Sequence, residues 1–209
     1  MTEIKKEDER VGELENKIAE LEQTIRVMKD DLIHDSLTGL KTRRFFEQEA
    51  GMYFKTISEK YKQERREWFG FKHMSIIFFD IDHFKKINDT HGHAAGDGVL
   101  RVVAKNIVDG IRAGDIAARW GGEEIVVALL GVGEKNAYKK AEAIRKSIEL
   151  LSFNNLPNVE VTVSAGVASQ DAETGFQEII SRADQALYQA KETGRNKVIF
   201  WSLGHSMSK

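Results

Sequence analysis

The chain has 209 residues, 41% hydrophobic and 31% charged, the balance of a soluble globular domain of ordinary size with an appendage. A formal net charge of −2 excludes a global basic field for nucleic acid, so any phosphate binding must come from local cations. No cysteines are present, which excludes disulfides, thiolate nucleophiles and cysteine zinc sites and fits a reducing compartment. The N-terminus has no apolar h-region and no window nears the ~20 apolar residues that span a bilayer, so the expectation is a cytoplasmic protein with no membrane segment in this chain. A piece cut from a longer membrane receptor would read the same way.

In chain order, residues 1–10 are polar and predict a frayed end. From Val11 the apolar positions Val11, Leu14, Ile18, Leu21, Ile25, Met28 and Leu32 alternate steps of three and four, an a/d heptad seam. Mostly β-branched a positions with mostly Leu d positions favour a parallel two-stranded coil, and Arg10 and Lys17 would face Glu15 and Glu22 of the partner. The competing reading is one amphipathic helix packed on its own domain, which usually shows a wider apolar stripe. So short a coil needs help from the globular part to dimerise. HDSLTGL then breaks the heptad with turn and cap formers.

Residues 42–65 carry helical spacing, and MSIIFFDID reads as a buried strand ending in acids. A loop follows, then the helix VLRVVAKNIVDGI. IAARW and IVVALL predict a hairpin across GGEE; residues 135–151 predict a helix, VEVTVSAGVA a strand, FQEIISRADQALYQAKETG a helix, and NKVIFW the last strand. Hairpins mixed with crossover helices predict an α+β layer fold, helices packed on a mostly antiparallel sheet. The expected organisation is a coiled-coil dimerisation helix at 1–34, a catalytic domain at 35–203 and a tail at 204–209.

Two acidic clusters sit where strands end: Asp80-Ile81-Asp82, and Glu123-Glu124 beside Gly121-Gly122. Carboxylates on rigid strand ends can hold hard cations such as Mg²⁺, and two such ions can activate a hydroxyl and stabilise a leaving pyrophosphate. Glycines let a base or ribose approach the backbone. Either cluster alone is more simply an acidic turn; together they favour a nucleotidyl-transfer site. Lys191 and Arg195, near a helix end, either satisfy carbonyls and the dipole or clamp phosphates.

DSLTGL, FDIDHFKKINDTHGHAAGDGVL, RAGDIAARWGGEEIV, TVSAGVA and ADQALYQAKETGRNKV, in this order over about residues 35–200, resemble the successive motifs of the GGDEF diguanylate cyclase family. The resemblance implies a fold like the palm of nucleotide cyclases and polymerases, and a bacterial enzyme that condenses two GTP into cyclic di-GMP across a homodimer. It implies that Asp80 and Glu123 ligate Mg²⁺ (or Mn²⁺) by side chain and Ile81 by its carbonyl. Glu124 would either ligate or help deprotonate the ribose 3′-hydroxyl, and the sequence leaves both open. Asn88 and Asp97 would read the guanine edge, an acceptor at Asp97 suiting the guanine N1–H and N2–H donors. Phe84 and Lys85 would lie on a loop near the phosphates, gripped by Lys191 and Arg195. Arg112 and Asp115 match the family's RxxD motif, implying an inhibitory site for the product; the plainer reading is a surface i,i+3 pair.

Three departures stand out: Ile125 replaces Phe in the signature, Thr42 replaces Asn before two arginines, and the stretch 51–72 is longer than usual. His83, His91 and His93 lack the cysteines of a zinc site and fall within the family motif. The alternatives are an inactive cyclic di-GMP receptor, which would usually have lost signature residues, and a mixed cyclic-dinucleotide synthase, against which Asp97 argues. A purely structural dimerisation module would need neither acidic cluster.

Overall fold

The computed structural model describes residues 2–61, 73–153, 156, 159–171 and 174–202. Helix α1 (Thr2–Ile33) runs through the polar start where fraying was expected. Along its seam, Leu14, Ile18, Leu21, Ile25, Met28 and Leu32 are each at least 50% exposed. The helix stops at a turn built by Asp35, whose carboxylate accepts from the Thr38 N–H (2.9 Å) and hydroxyl (2.7 Å). Gly39, at φ +70, supplies the left-handed step that lets the chain fold back. No described helix is long and apolar enough to cross a membrane.

The two-residue strand β1 (Lys41–Thr42) was not anticipated. Thr42 fills its position well: its hydroxyl donates to the Leu32 carbonyl (2.8 Å) and accepts from the Phe45 N–H (3.3 Å), tying α1 to the start of α2 (Arg43–Tyr61). Of the long stretch 51–72, residues 51–61 belong to α2 and residues 62–72 lie outside the described residues.

Strand β2 (Met74–Ile81) is buried along its whole length because both faces are covered. Ile77, Phe79 and Ile81 face α3 (Phe84–His91), α4 (His93–Asp109) and α5 (Glu134–Glu149); Met74, Ile76 and Phe78 face α2 and α6 (Phe176–Glu192). The remaining strands are β3 (Ile116–Arg119), β4 (Glu124–Leu130), β5 (Val163–Ser169) and β6 (Val198–Phe200). They form one six-stranded sheet in the order β1-β3-β4-β2-β5-β6. Its three central pairings are antiparallel, and the outer β1–β3 and β5–β6 pairings are parallel. This is the expected α+β fold of helices around a mostly antiparallel sheet.

Two local expectations are corrected. The stretch between β2 and VLRVVAKNIVDGI is not a loop: it holds α3 and the first turn of α4, separated by Gly92 at φ +84. Its glycines and histidines mask a short helix whose buried anchors are only Phe84 and Ile87. Strand β5 begins at Val163 rather than at Val159. Gly166 at its centre is obligatory, since a Cβ there would sit 2.1 Å from the Ala183 carbonyl and the Leu187 amide. That close approach seats α6 on the sheet.

Candidate active site

The antiparallel β2–β4 register sets Asp80 directly opposite Glu124. Side chains alternate along a strand, so both continue the face that carries Phe78 and Val126, the face covered by α6. The last turn of α6 therefore delivers Lys191 to the acids, with Nζ 2.7 Å from Asp80 Oδ2. Asp80 is 5% exposed. Burial pushes its carboxyl up to about 6; Lys191 pulls against this, while the charges of Glu123 and Glu124 push further upward.

The glycine turn is shaped for this arrangement. Trp120 N–H donates to the Glu124 carbonyl (2.8 Å), closing the hairpin. A Cβ on Gly121 would lie 2.8 Å from Glu124 Oε2, so the Glu124 side chain folds back into space that this glycine leaves. Arg119 holds the turn from behind, donating to the Gly121 and Gly122 carbonyls (3.1 and 2.9 Å) and to Asp35 Oδ2 (3.1 Å). Burial alone would raise the Asp35 carboxyl, but Thr38 and Arg119 outweigh it and hold it below the usual range. Arg119 was missing from the sequence-derived site because its carboxylate partner Asp35 lies in the turn after α1, 84 residues away. An arginine just before a glycine turn was the one available signal.

Asp80, Glu124 and the neighbouring Glu123 offer hard oxygen donors, and the Lys191 ammonium already stands where a cation would neutralise Asp80. The residues thus fit a divalent ion. Among the described residues, however, no three acidic or imidazole side chains converge into a complete cage by themselves. Ile81 points its side chain into the core, leaving only its carbonyl for such a role.

Asp82 does not join Asp80. Its carboxylate accepts from Ser164 Oγ (2.6 Å), Thr162 Oγ1 (2.7 Å) and the Asn196 N–H (3.0 Å). The first acidic cluster therefore splits into one carboxylate with a lone cation and one fully engaged in hydrogen bonds.

Phe84 and Lys85 open α3 rather than lying on a loop, and Phe84 is buried in the core. Asn88 on α3 meets α4 at Gly96, where a Cβ would fall 1.8 Å from Asn88 Oδ1. The missing side chain at Gly96 makes room for Asn88 beside the half-buried Asp97. Lys191 and Arg195 do not continue along one helix, because the chain turns at Gly194 (φ +109) and leaves Arg195 exposed beyond the helix end.

Arg112 and Asp115 line a separate cleft of about 430 Å³ with Lys41, Phe45, Glu49 and Tyr53. The Asp115 carboxylate already binds two backbone amides, Arg112 N–H and Leu130 N–H (3.0 Å each), while Arg112 is exposed.

A family model described as "Diguanylate cyclase, GGDEF domain" matches residues 32–197. Diguanylate cyclase A of Treponema denticola is 43% identical over 166 residues, covering 78% of this chain and 43% of that protein. Diguanylate cyclase DgcM of Escherichia coli K12 is 38% identical over 169 residues, covering 79% of this chain and 38% of that protein. The chain thus spans less than half the length of these curated relatives. Among solved structures, the coiled coil and GGDEF domain of DgcB from Caulobacter crescentus, in complex with c-di-GMP, matches with a TM-score of 0.80 at 27% identity, covering 92% of this chain and 98% of that one. The active GGEEF domain of a diguanylate cyclase from Vibrio cholerae matches with a TM-score of 0.67 at 32% identity, covering 77% of this chain and 97% of that one.

Proposed function

The chain belongs to the GGDEF diguanylate cyclase family, and from that premise we propose that it condenses two GTP molecules into cyclic di-GMP, releasing two pyrophosphates across a homodimer. The observation that carries this reading is the pairing of Asp80 with Glu124 across β2–β4, with Lys191 Nζ at 2.7 Å from Asp80. A carboxylate pair with a cation at its edge is the electrostatic arrangement that phosphoryl chemistry needs.

Asp80, Glu123 and the Ile81 carbonyl would hold Mg²⁺ or Mn²⁺, with Glu124 beside them. The metal, when bound, supplies Lewis-acid stabilisation of phosphate charge and a more acidic 3′-hydroxyl. Asn88 and Asp97 bind the guanine edge, Asp97 accepting from N1–H and N2–H, which selects GTP over ATP. Gly121 and Gly122 leave space for the nucleotide against the backbone. Lys85 and the start of α3 at Phe84 border the phosphates, and Lys191 and Arg195 hold them. Each 3′-oxygen attacks the α-phosphorus of the other GTP in line, its proton passing to Glu124 or solvent, and pyrophosphate leaves. Positioning of the two nucleotides and electrostatic stabilisation of the spreading phosphate charge contribute most of the rate.

Each domain binds one GTP, so two must meet. The exposed seam of α1 supports a parallel coil that raises the effective concentration of the second half-site. Leu21→Pro should then lower specific activity, most severely in dilute protein, and specific activity that is unchanged on dilution would refute the coil's role. The cleft beside Arg112 and Asp115 supports product binding there, with inhibition as the consequence.

Product analysis tests the whole. Purified protein is incubated with GTP and Mg²⁺, with GTP plus ATP in parallel, and with Glu123→Ala as control. Cyclic di-GMP from the native chain alone supports the assignment. A mixed product would overturn the role given to Asp97, and cyclic di-GMP binding without turnover would make the protein a receptor.

A further inference from the structure

The turn after α6 follows an uncommon path. Gly194, Arg195 and Asn196 have φ of +109°, +59° and +45°, so two consecutive side-chain-bearing residues occupy the left-handed region. Such conformations cost free energy and persist only where the surroundings hold them. The first half is local: Thr193 caps the helix and the Arg195 N–H donates back to the Ala190 carbonyl (2.9 Å), a Schellman-type closure through Gly194. That closure needs only the glycine. It does not account for the left-handed residues that follow.

The second half is held from outside, and Asn196 makes the bonds to β2 and α5, while the Lys197 ammonium donates to the Thr193 carbonyl within the turn. Its N–H donates to Asp82 Oδ2 (3.0 Å), its Nδ2 donates to Glu149 Oε1 (2.7 Å), and its Oδ1 accepts from Arg145 Nη1 (2.6 Å). These partners are themselves fixed. Arg145 is 8% exposed and also donates to Glu142 (3.1 Å) and Glu149 (2.9 Å) along α5. Asp82 is pinned to β5 and the residue before it through Ser164 and Thr162. The Ala165 N–H donating to the Lys197 carbonyl (2.8 Å) closes the far side. One residue thus joins the end of β2, helix α5 and the turn carrying Arg195.

We propose that Asn196 is a positioning residue: its bonds to Asp82 and to the Arg145–Glu149 pair hold the Gly194–Asn196 turn left-handed and so aim Arg195 at the nucleotide phosphates. The proposal rests on the reading of Arg195 as a phosphate ligand. It assigns a role to Asp82, Arg145 and Glu149, which the chemistry itself leaves unused. Asn196 suits the task because asparagine tolerates the left-handed region and its amide both donates and accepts.

The test separates phosphate binding from base binding in the full chain. Asn196→Ala removes the side-chain bonds to Arg145 and Glu149 and disfavours the backbone path; Asn196→Gly removes the same two bonds but tolerates the path, so it guards against a variant that fails to fold, and both keep the backbone N–H that reaches Asp82. Binding of guanosine and of the non-reactive α,β-methylene analogue of GTP is measured by calorimetry with Mg²⁺, beside Arg195→Ala and the double variant. Both Asn196 variants should bind the triphosphate about tenfold more weakly, roughly 1.4 kcal/mol, with guanosine binding within about twofold of the native chain. The loss should not add to that of Arg195→Ala, since both changes remove one interaction. Equal weakening of both ligands would mean a merely structural residue and overturn the proposal, as would unchanged triphosphate binding in both Asn196 variants. If Arg195→Ala itself left triphosphate binding intact, the phosphate role of Arg195 would fall first and the proposal with it.

Discussion

Asp80 and Asp82 lie at the same strand end, each 5% exposed, yet their surroundings differ in kind. Asp82 has three donors, two hydroxyls and an amide, all from residues that belong to the frame of the sheet and the α6 turn. Asp80 has one mobile-ended ammonium and two carboxylates pressing on it. A buried charge with complete hydrogen bonding stabilises the fold around it, whereas a buried charge with a single exchangeable counter-ion is held at a cost and is ready to bind something else. The difference separates a carboxylate saturated with hydrogen bonds from one left with an exchangeable counter-ion, two positions apart.

The comparison can be broken by substitution. The largest effect should come from Asp80→Asn, which should lower cyclic di-GMP formation by at least about a hundredfold, in line with losing a group that stabilises charge in the transition state. Turnover near the native rate, followed by chromatography of product, would move the metal role elsewhere. Asp82→Ala should instead act on stability, lowering the unfolding free energy by about 3 kcal/mol, because Ser164 and Asn196 lose a buried partner. Urea unfolding that matches the native chain would contradict its role as scaffold.

The same Asp80→Asn protein sharpens the contrast through pH. A folded-state carboxyl near 6, above its ordinary value of 3.8, means that the unfolded chain releases this proton first as pH rises. Stability then falls between about pH 4 and 6 and stays lowered above. Asp80→Asn should therefore be more stable than the native chain by on the order of 2 kcal/mol at pH 7.5, with the gain vanishing near pH 4. A gain that is independent of pH would indicate packing rather than charge. The smallest effect is expected at Arg119→Lys, which keeps the charge but loses the fork that reaches both Asp35 and the glycine carbonyls. Thermal unfolding should show a loss of about 1 kcal/mol, with a few-fold decrease in turnover.

Much of this was legible along the chain. The unbroken apolar run of β2, the glycine turn before Glu123 and the three-four spacing of α1 each express a local geometric repeat, and local repeats survive in one dimension. The two-residue β1 and the eight-residue α3 were not legible, because each is too short to show a period and owes its existence to what it packs against.

The amino-acid order by itself determined the class of fold and the heptad spacing of α1, and it put forward the acids and cations of the candidate site, since these follow from residue type and spacing. Only the tertiary structure decided that Asp82 is fully engaged in hydrogen bonds while Asp80 has Lys191 as its counter-ion, and that Arg119 and Asn196 fasten the turns at Gly121-Gly122 and Gly194. Those facts depend on partners many tens of residues away, brought together by strand register and helix packing. A hydrogen bond or ion pair is set by distance in space, and sequence spacing carries no record of it.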